Sequence, residues 1–96
     1  CYTTSKAALI GMTKTLAVEL AKYNILVNTV SPGFTDTDLT RTILSKSAIN
    51  ELIDKVPLQR MAKPDEIANA VLFLSSDLNT YITGQNIIID GGFSVT

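Results

Sequence analysis

Two side chains near the start of the chain are chemically suggestive. Tyr2 and Lys6 stand four residues apart where a helical pattern begins. That spacing sets both on one helical face. A free tyrosine has a pKa of about 10, too high for proton transfer at neutral pH. A nearby lysine ammonium favours the phenolate and draws that value down. The pair is therefore a candidate proton donor or acceptor. An ordinary solvated helix start would show the same two residues. A second candidate group follows an apolar run: Pro32-Gly33, then the hydroxyls of Thr35 and Thr37. In open α/β sheets, ligands bind beyond the carboxyl ends of the strands. Glycine there would let backbone approach a ligand. A plain turn with threonine as a helix cap fits these residues equally well.

Other chemistries are thinly represented. The chain has no histidine, which removes His-based metal sites and every Ser-His or Cys-His arrangement. Cys1 therefore lacks a histidine to activate it, and a buried cysteine usually behaves as a small hydrophobe. Asp36 and Asp38 read as the acidic first turn of a helix rather than as metal ligands, and no metal is expected. Asn28, polar within an apolar run, needs partners if buried and is expected to anchor a neighbouring turn.

These residues need elements to hold them. Thr3 to Lys22 reads as a helix with Leu9, Met12, Leu16 and Leu20 as its apolar stripe and Asn24 as its stop. Ile25 to Ser31 reads as a strand covered on both faces. Leu39 to about Lys55 reads as two short helices joined near Ser45-Lys46-Ser47. Val56-Pro57-Leu58 is expected to be extended, since a residue before proline avoids the α region. Pro64-Asp65-Glu66 starts a helix that buries Ile67, Val71, Leu72 and Leu74 and stops near Ser75-Ser76-Asp77. Ile82 to Gln85 turns into a second strand, Asn86 to Ile89, closed by Asp90-Gly91-Gly92. The order of elements is that of an α/β protein.

Composition narrows the function class. Eight lysines and arginines face nine acids among 96 residues, a balance that argues against a nucleic-acid partner. Hydrophobic residues make up 46% and charged ones 18%, as in a globular chain. No apolar run reaches the roughly 18 residues of a membrane span, and a lone cysteine fits a cytoplasmic protein. Two buried strands are too few to make a sheet, and the first residue is not methionine. The chain is therefore expected to be part of a longer domain.

Several segments combine into one resemblance. Tyr2-Thr3-Thr4-Ser5-Lys6-Ala7-Ala8 resembles the Y-x-x-x-K-A-A active-site segment of the short-chain dehydrogenase/reductase family. Val27-Asn28 through Pro32-Gly33 is similar to its V-N-x-x-x-P-G strand, and Phe34 to Leu39 to the cofactor-contacting loop that follows. Leu58-Gln59-Arg60 through Pro64-Asp65-Glu66-Ile67-Ala68 is similar to P-L-x-R-x-x-x-P-E-E-I-A. Thr83-Gly84-Gln85 with Asp90-Gly91-Gly92 matches the closing T-G-Q and D-G-G. These motifs lie in register over essentially the whole chain. They most resemble 3-oxoacyl-(acyl-carrier-protein) reductases and related keto-reductases.

The resemblance implies the C-terminal portion, residues 1–96, of one Rossmann-like, doubly wound parallel-sheet domain. It implies an NAD- or NADP-dependent oxidoreductase that interconverts a small-molecule ketone and a secondary alcohol. Tyr2 would be the proton donor and would also contact the cofactor. Lys6 would tune it and hold the nicotinamide ribose. Pro32, Gly33 and Thr35 would line the nicotinamide, with Thr37 touching its carboxamide or the diphosphate. The helices from Leu39 to Lys55 match a substrate lid. The family's glycine-rich diphosphate loop has no counterpart here, and its catalytic serine would precede Cys1, so the chain alone is expected to be inactive. Met61-Ala62 departs from relatives that carry glycine there. Relatives pair through the first helix and last strand, which implies a homotetramer or dimer. Ala8, Gly11 and Thr15 form a small-residue strip suited to such pairing. The competing expectation is a non-catalytic, truncated relative that serves as a structural or oligomerisation module.

Overall fold

The computed structural model describes residues 2–96. In chain order it contains α1 (Tyr2–Leu20), a 3-10 turn (Ala21–Tyr23), β1 (Thr29–Pro32), α2 (Asp38–Ile43) and α3 (Lys46–Lys55). Then come α4 (Pro64–Ser75), β2 (Asn86–Ile89) and a second 3-10 turn (Phe93–Val95). The two strands pair with each other. The Thr29 N–H donates to Gln85 O and the Gly33 N–H to Ile89 O, each at 2.9 Å. Both rungs keep one register, which is parallel pairing, and the expected α/β class holds. No helix among the described residues is long and apolar enough to cross a membrane. The chain divides into two compact units, Cys1–Val30 with Leu72–Ile87 and Ser31–Val71 with Ile88–Thr96.

In the first unit, α1 runs without proline until its last turn tightens into the 3-10 segment. This ends the α-helix at Leu20 rather than at Lys22. Asn24 then takes a left-handed conformation, φ 59°, and its N–H donates to Ala21 O at 2.9 Å, the stop its residue type suggested. The packed face of α1 differs from expectation. Its buried residues are Thr13 and Ala17, whereas Leu9 and Met12 are exposed and Leu16 and Leu20 half-buried. The reason is close approach. A Cβ added at Gly84 would lie 3.3 Å from the Ala17 Cβ, so the helix meets the neighbouring turn through a small residue.

The apolar run Ile25–Ser31 is not a strand throughout. Only Thr29–Pro32 enters the ladder. The preceding residues are held largely by side-chain bonds. The Val27 N–H donates to Thr83 Oγ1 at 2.9 Å, and Val27 O accepts from the Gly84 N–H at 2.7 Å. Asn28 Nδ2 donates to Ile82 O at 2.9 Å, and its Oδ1 accepts from the Gln85 N–H at 3.1 Å. Asn28 thus anchors the turn, as its position suggested. The buried Asn79 completes the arrangement, donating to Leu74 O and Ile82 O, both at 3.1 Å, and accepting from the Ile82 N–H at 2.9 Å.

The second unit has its own small core, Ile49, Val56 and Met61. Met61 fills this core where relatives were expected to carry glycine. Phe34 and Phe93 meet edge to face, 5.1 Å between centroids. The stretch from Leu39 to Lys55 lies in two helices, as expected, with Ser45 capping α3 by accepting from the Ala48 N–H at 3.1 Å. Val56 is extended, but Pro57-Leu58 form a turn closed by Gln59 N–H to Val56 O at 2.8 Å, so the expected extended segment is one residue long. Unanticipated is a parallel bridge between Thr35 and Ala62.

Helix α4 begins at Pro64 and ends at Ser75, matching its start and stop signals. Its expected buried face is absent. Ile67 and Leu74 are half-buried, while Val71 and Leu72 are exposed. A sheet of two strands offers too little surface to cover such a face.

Candidate active site

Tyr2 opens α1, and Lys6 lies one turn further along. The Lys6 Nζ stands 5.8 Å from the centroid of the Tyr2 ring, within cation–π range. The Tyr2 side is open, 77% exposed, and Lys6 is half-buried. Four-residue spacing thus brings phenol and ammonium together on one face. Cys1 lies outside the described residues.

Pro32, Gly33, Thr35 and Thr37 belong to the second unit. Pro32 ends β1. Gly33 is glycine for an internal reason: an added Cβ would come within 2.6 Å of the Asp90 Cβ and 2.8 Å of its Cα. The close approach that was anticipated for a ligand is already made by Asp90. That residue is itself fixed, with Oδ1 accepting from the Gly92 N–H at 3.0 Å and Oδ2 from the Ser94 N–H at 2.9 Å. The Ser94 side chain, followed by these backbone donors, holds the Asp90 carboxyl below its ordinary range.

The threonines are tied into α2. Thr35 Oγ1 donates to Gly33 O at 3.1 Å, and Thr40 Oγ1 donates to Thr35 O at 3.1 Å. Thr37 is the N-cap, accepting from the Thr40 N–H at 3.2 Å. Thr37 Oγ1 and Thr40 Oγ1 are also 3.0 Å apart. The single Thr40 hydroxyl proton goes to Thr35 O, so Thr37 is the donor in that contact. Both candidate threonines have committed their protons and can offer a ligand only lone pairs.

Asp36 does not sit in the first helical turn, as had been expected. It precedes the cap and grips Arg41 in a two-pronged ion pair, Nε to Oδ1 at 2.6 Å and Nη2 to Oδ2 at 2.8 Å. That guanidinium holds the Asp36 carboxyl below its usual range. Asp38 does occupy the first turn. No group of three or more metal-ligating side chains gathers among the described residues.

Sequence reasoning overlooked a second such fork. Arg60 Nη1 and Nη2 donate to Glu66 Oε1 and Oε2 at 2.6 and 2.9 Å, and the Lys63 N–H also donates to Oε1, at 2.9 Å. This is half of a capping box at the start of α4. It draws the Glu66 pKa down to about 2, with Arg60 the principal cause. Glutamate as the third residue of a helix was the available signal. A cleft of about 100 Å³ opens beside this pair, lined by Phe34, Val56, Leu58, Ala62 and Ile89. None of the four loop candidates lines it.

Each unit by itself offers groups whose chemistry fits parts of a nicotinamide nucleotide. Tyr2 and Lys6 supply a hydroxyl and an ammonium with no hydrogen-bond partner among the described residues, matching ribose and carbonyl oxygens. Thr35 and Thr37 supply acceptors for a carboxamide.

Known proteins resemble the chain along nearly its whole length. Residues 1–94 match the family model described as Enoyl-(Acyl carrier protein) reductase. A 3-oxoacyl-(acyl-carrier-protein) reductase from Aquifex aeolicus is 52% identical over 91 residues, which cover 95% of this chain and 36% of that relative. The crystal structure of a short chain dehydrogenase family protein from Francisella tularensis superposes with a TM-score of 0.92 at 46% identity, covering 99% of this chain and 43% of that one. A 4-hydroxyisoleucine dehydrogenase complexed with NADH gives 0.91 at 38% identity, covering 99% of this chain and 40% of that one. The chain thus spans little more than a third of the length of the curated relative. With a family model matched over residues 1–94 and motifs in register, the chain belongs to the short-chain dehydrogenase/reductase family.

Proposed function

We propose that the whole protein carrying this chain is an NAD- or NADP-dependent oxidoreductase that interconverts a ketone and a secondary alcohol. These residues would be the C-terminal portion of its single Rossmann-like domain. The observation that carries the proposal is the exposed Tyr2 phenol, without a hydrogen-bond partner among the described residues, with the Lys6 ammonium on the same face of α1.

A bound nicotinamide would supply the hydride for reduction and accept it in oxidation. In reduction, Tyr2 gives its hydroxyl proton to the carbonyl oxygen as that oxygen gains the electron pair of the broken π bond. The exposed phenol then regains a proton from solvent. In oxidation, Tyr2 first gives its proton to solvent, and the resulting phenolate accepts the alcohol proton. Lys6 sets positive charge beside the phenol and has donors to spare for a ribose hydroxyl. Pro32 and Gly33 would line the nicotinamide face. Thr35 and Thr37, which have only acceptor capacity left, would take the carboxamide N–H₂ rather than the diphosphate.

Leu39 and Ile43 of α2 are both 67% exposed and would give the substrate lid an apolar lining. That supports a small-molecule substrate with an apolar portion beside its carbonyl. Exposed Ala8, Gly11 and Thr15 support close helix pairing in a homotetramer or dimer, for a Cβ at Gly11 would meet nothing within 4 Å. The location proposed is the cytoplasm.

The test is Tyr2→Phe in the whole protein. Ketone reduction should fall by at least about 100-fold, while NAD(P)H affinity stays within about twofold. A Phe variant that keeps most of its turnover overturns the proposal.

A further inference from the structure

A pair of hydroxyls in the first unit takes no part in the chemistry above. Thr13 and Thr29 are nearly closed to solvent, 6% and 8% exposed, and their Oγ1 atoms lie 2.5 Å apart. Thr13 Oγ1 also donates to Leu9 O at 2.8 Å. A hydroxyl has one proton, so Thr29 must be the donor between them. The bonds form a directed chain, from Thr29 to Thr13 to the Leu9 carbonyl. A helical threonine bonded to the carbonyl four residues back is ordinary. The second link differs, because it ties the middle of α1 to the first residue of β1.

We propose that Thr13 is a positioning residue, which through Thr29 fixes the setting of α1 and hence of Tyr2 and Lys6. The inference rests on the proposed roles of those two residues. A helix transmits displacement along its length. At 1.5 Å per residue, Lys6 lies about 10 Å and Tyr2 about 16 Å along the axis from Thr13. The apolar contacts of Leu16 and Leu20 are non-directional and tolerate small slides. A short hydroxyl–hydroxyl bond does not, because it weakens steeply with distance and angle. Ala17, buried against Gly84, restrains approach toward the turn but not sliding along the axis. A misplacement of about 1 Å at a reacting group can cost about 100-fold in rate.

The test uses the whole protein, with turnover expressed per NAD(P)H-binding site. Thr13→Val keeps the shape and deletes the hydroxyl. Its kcat should fall at least about tenfold, with the carbonyl-substrate KM within about twofold. Thr13→Ser should recover kcat to within about twofold, and Thr13→Val with Thr29→Val should be no worse than either alone, as one coupled link requires. A lower melting temperature with unchanged kcat per binding site would show a hydroxyl that only stabilises the fold and would overturn the proposal. If Thr13→Val does not fold, Thr29→Val replaces it, since valine suits a strand; the same kcat loss is expected, and unchanged kcat overturns the proposal. Tyr2→Phe separates the two readings. If that variant is inactive while Thr13→Val turns over normally, only the positioning role fails. If Tyr2→Phe stays active, the assignment of the site fails.

Discussion

The start of α1 and the loop leading into α2 each carry candidate residues, and their side chains are used in opposite ways. The Tyr2 and Lys6 side chains lie within cation–π range of each other and form no side-chain hydrogen bonds with the other described residues. In the loop, the hydroxyl protons of Thr35 and Thr37 are all spent internally, Asp36 is locked to Arg41, and Gly33 is pressed against Asp90. Groups that must exchange protons with a substrate need spare bonding capacity. Groups that shape a surface gain from having none. The contrast separates proton-transfer candidates from those that build a wall.

The contrast can be broken at four points, beginning with the largest effect. Lys6→Ala in the whole protein should lower turnover about 100-fold and weaken NAD(P)H binding, measured by steady-state kinetics and fluorescence titration. Lys6→Arg should recover only part, since a planar fork replaces a point charge. Unchanged cofactor affinity in Lys6→Ala would place Lys6 with the wall-building residues.

Gly33→Ala comes next. Its new methyl would meet Asp90 backbone and Cβ, neither of which can swing aside. Overpacking of this kind costs about 1–3 kcal/mol, readable by denaturant unfolding of the whole protein. An unaffected midpoint would mean that the glycine serves a ligand after all.

Thr37→Val removes the cap of α2 and should cost about 1 kcal/mol, whereas Thr37→Ser should be nearly neutral. If the hydroxyl accepts from a carboxamide as well, cofactor affinity should fall in the Val variant beyond what stability explains.

The smallest effect concerns pH. The Glu66 pKa is lowered in the folded state, from 4.5 to about 2. Its contribution to stability is therefore complete above pH 4.5 and declines as pH falls through about 2. Glu66→Gln should flatten that part of the acid-unfolding profile and leave neutral-pH turnover unchanged. The ion pair is solvent-exposed, so the change should be modest.

Much of this architecture could be read from the residues, and the failures have physical causes. Helix starts and stops followed local chemistry: Pro64 opens α4, Asn24 ends the first helical segment, and Ser45 separates α2 from α3. Burial was harder. Leu9 and Met12 lie on an apolar stripe yet face outward, and Thr13 faces in, because a hydroxyl with two partners is as content inside as a methyl. Ile25 to Asn28 have the composition of a strand, but composition cannot reveal that Thr83 and Asn28 side chains replace regular rungs. The Tyr2–Lys6 face was legible because four-residue spacing fixes it. The Asp36–Arg41 grip was not, because its five-residue span straddles the cap and follows no periodic rule.

Asn28 has a consequence beyond anchoring a turn. Its carboxamide presents one donor and one acceptor to the chain opposite, so it imitates a peptide unit and lengthens the ladder by one rung. The protection of the Gln85 amide from solvent exchange therefore depends on a side chain. Replacing that carboxamide with a carboxylate, as deamidation does, would leave the Gln85 acceptor intact but turn an oxygen toward the Ile82 carbonyl. Attraction would become repulsion at one end of the rung only. Aspartate at position 28 would thus loosen the entrance to β2 while leaving the paired strands in place.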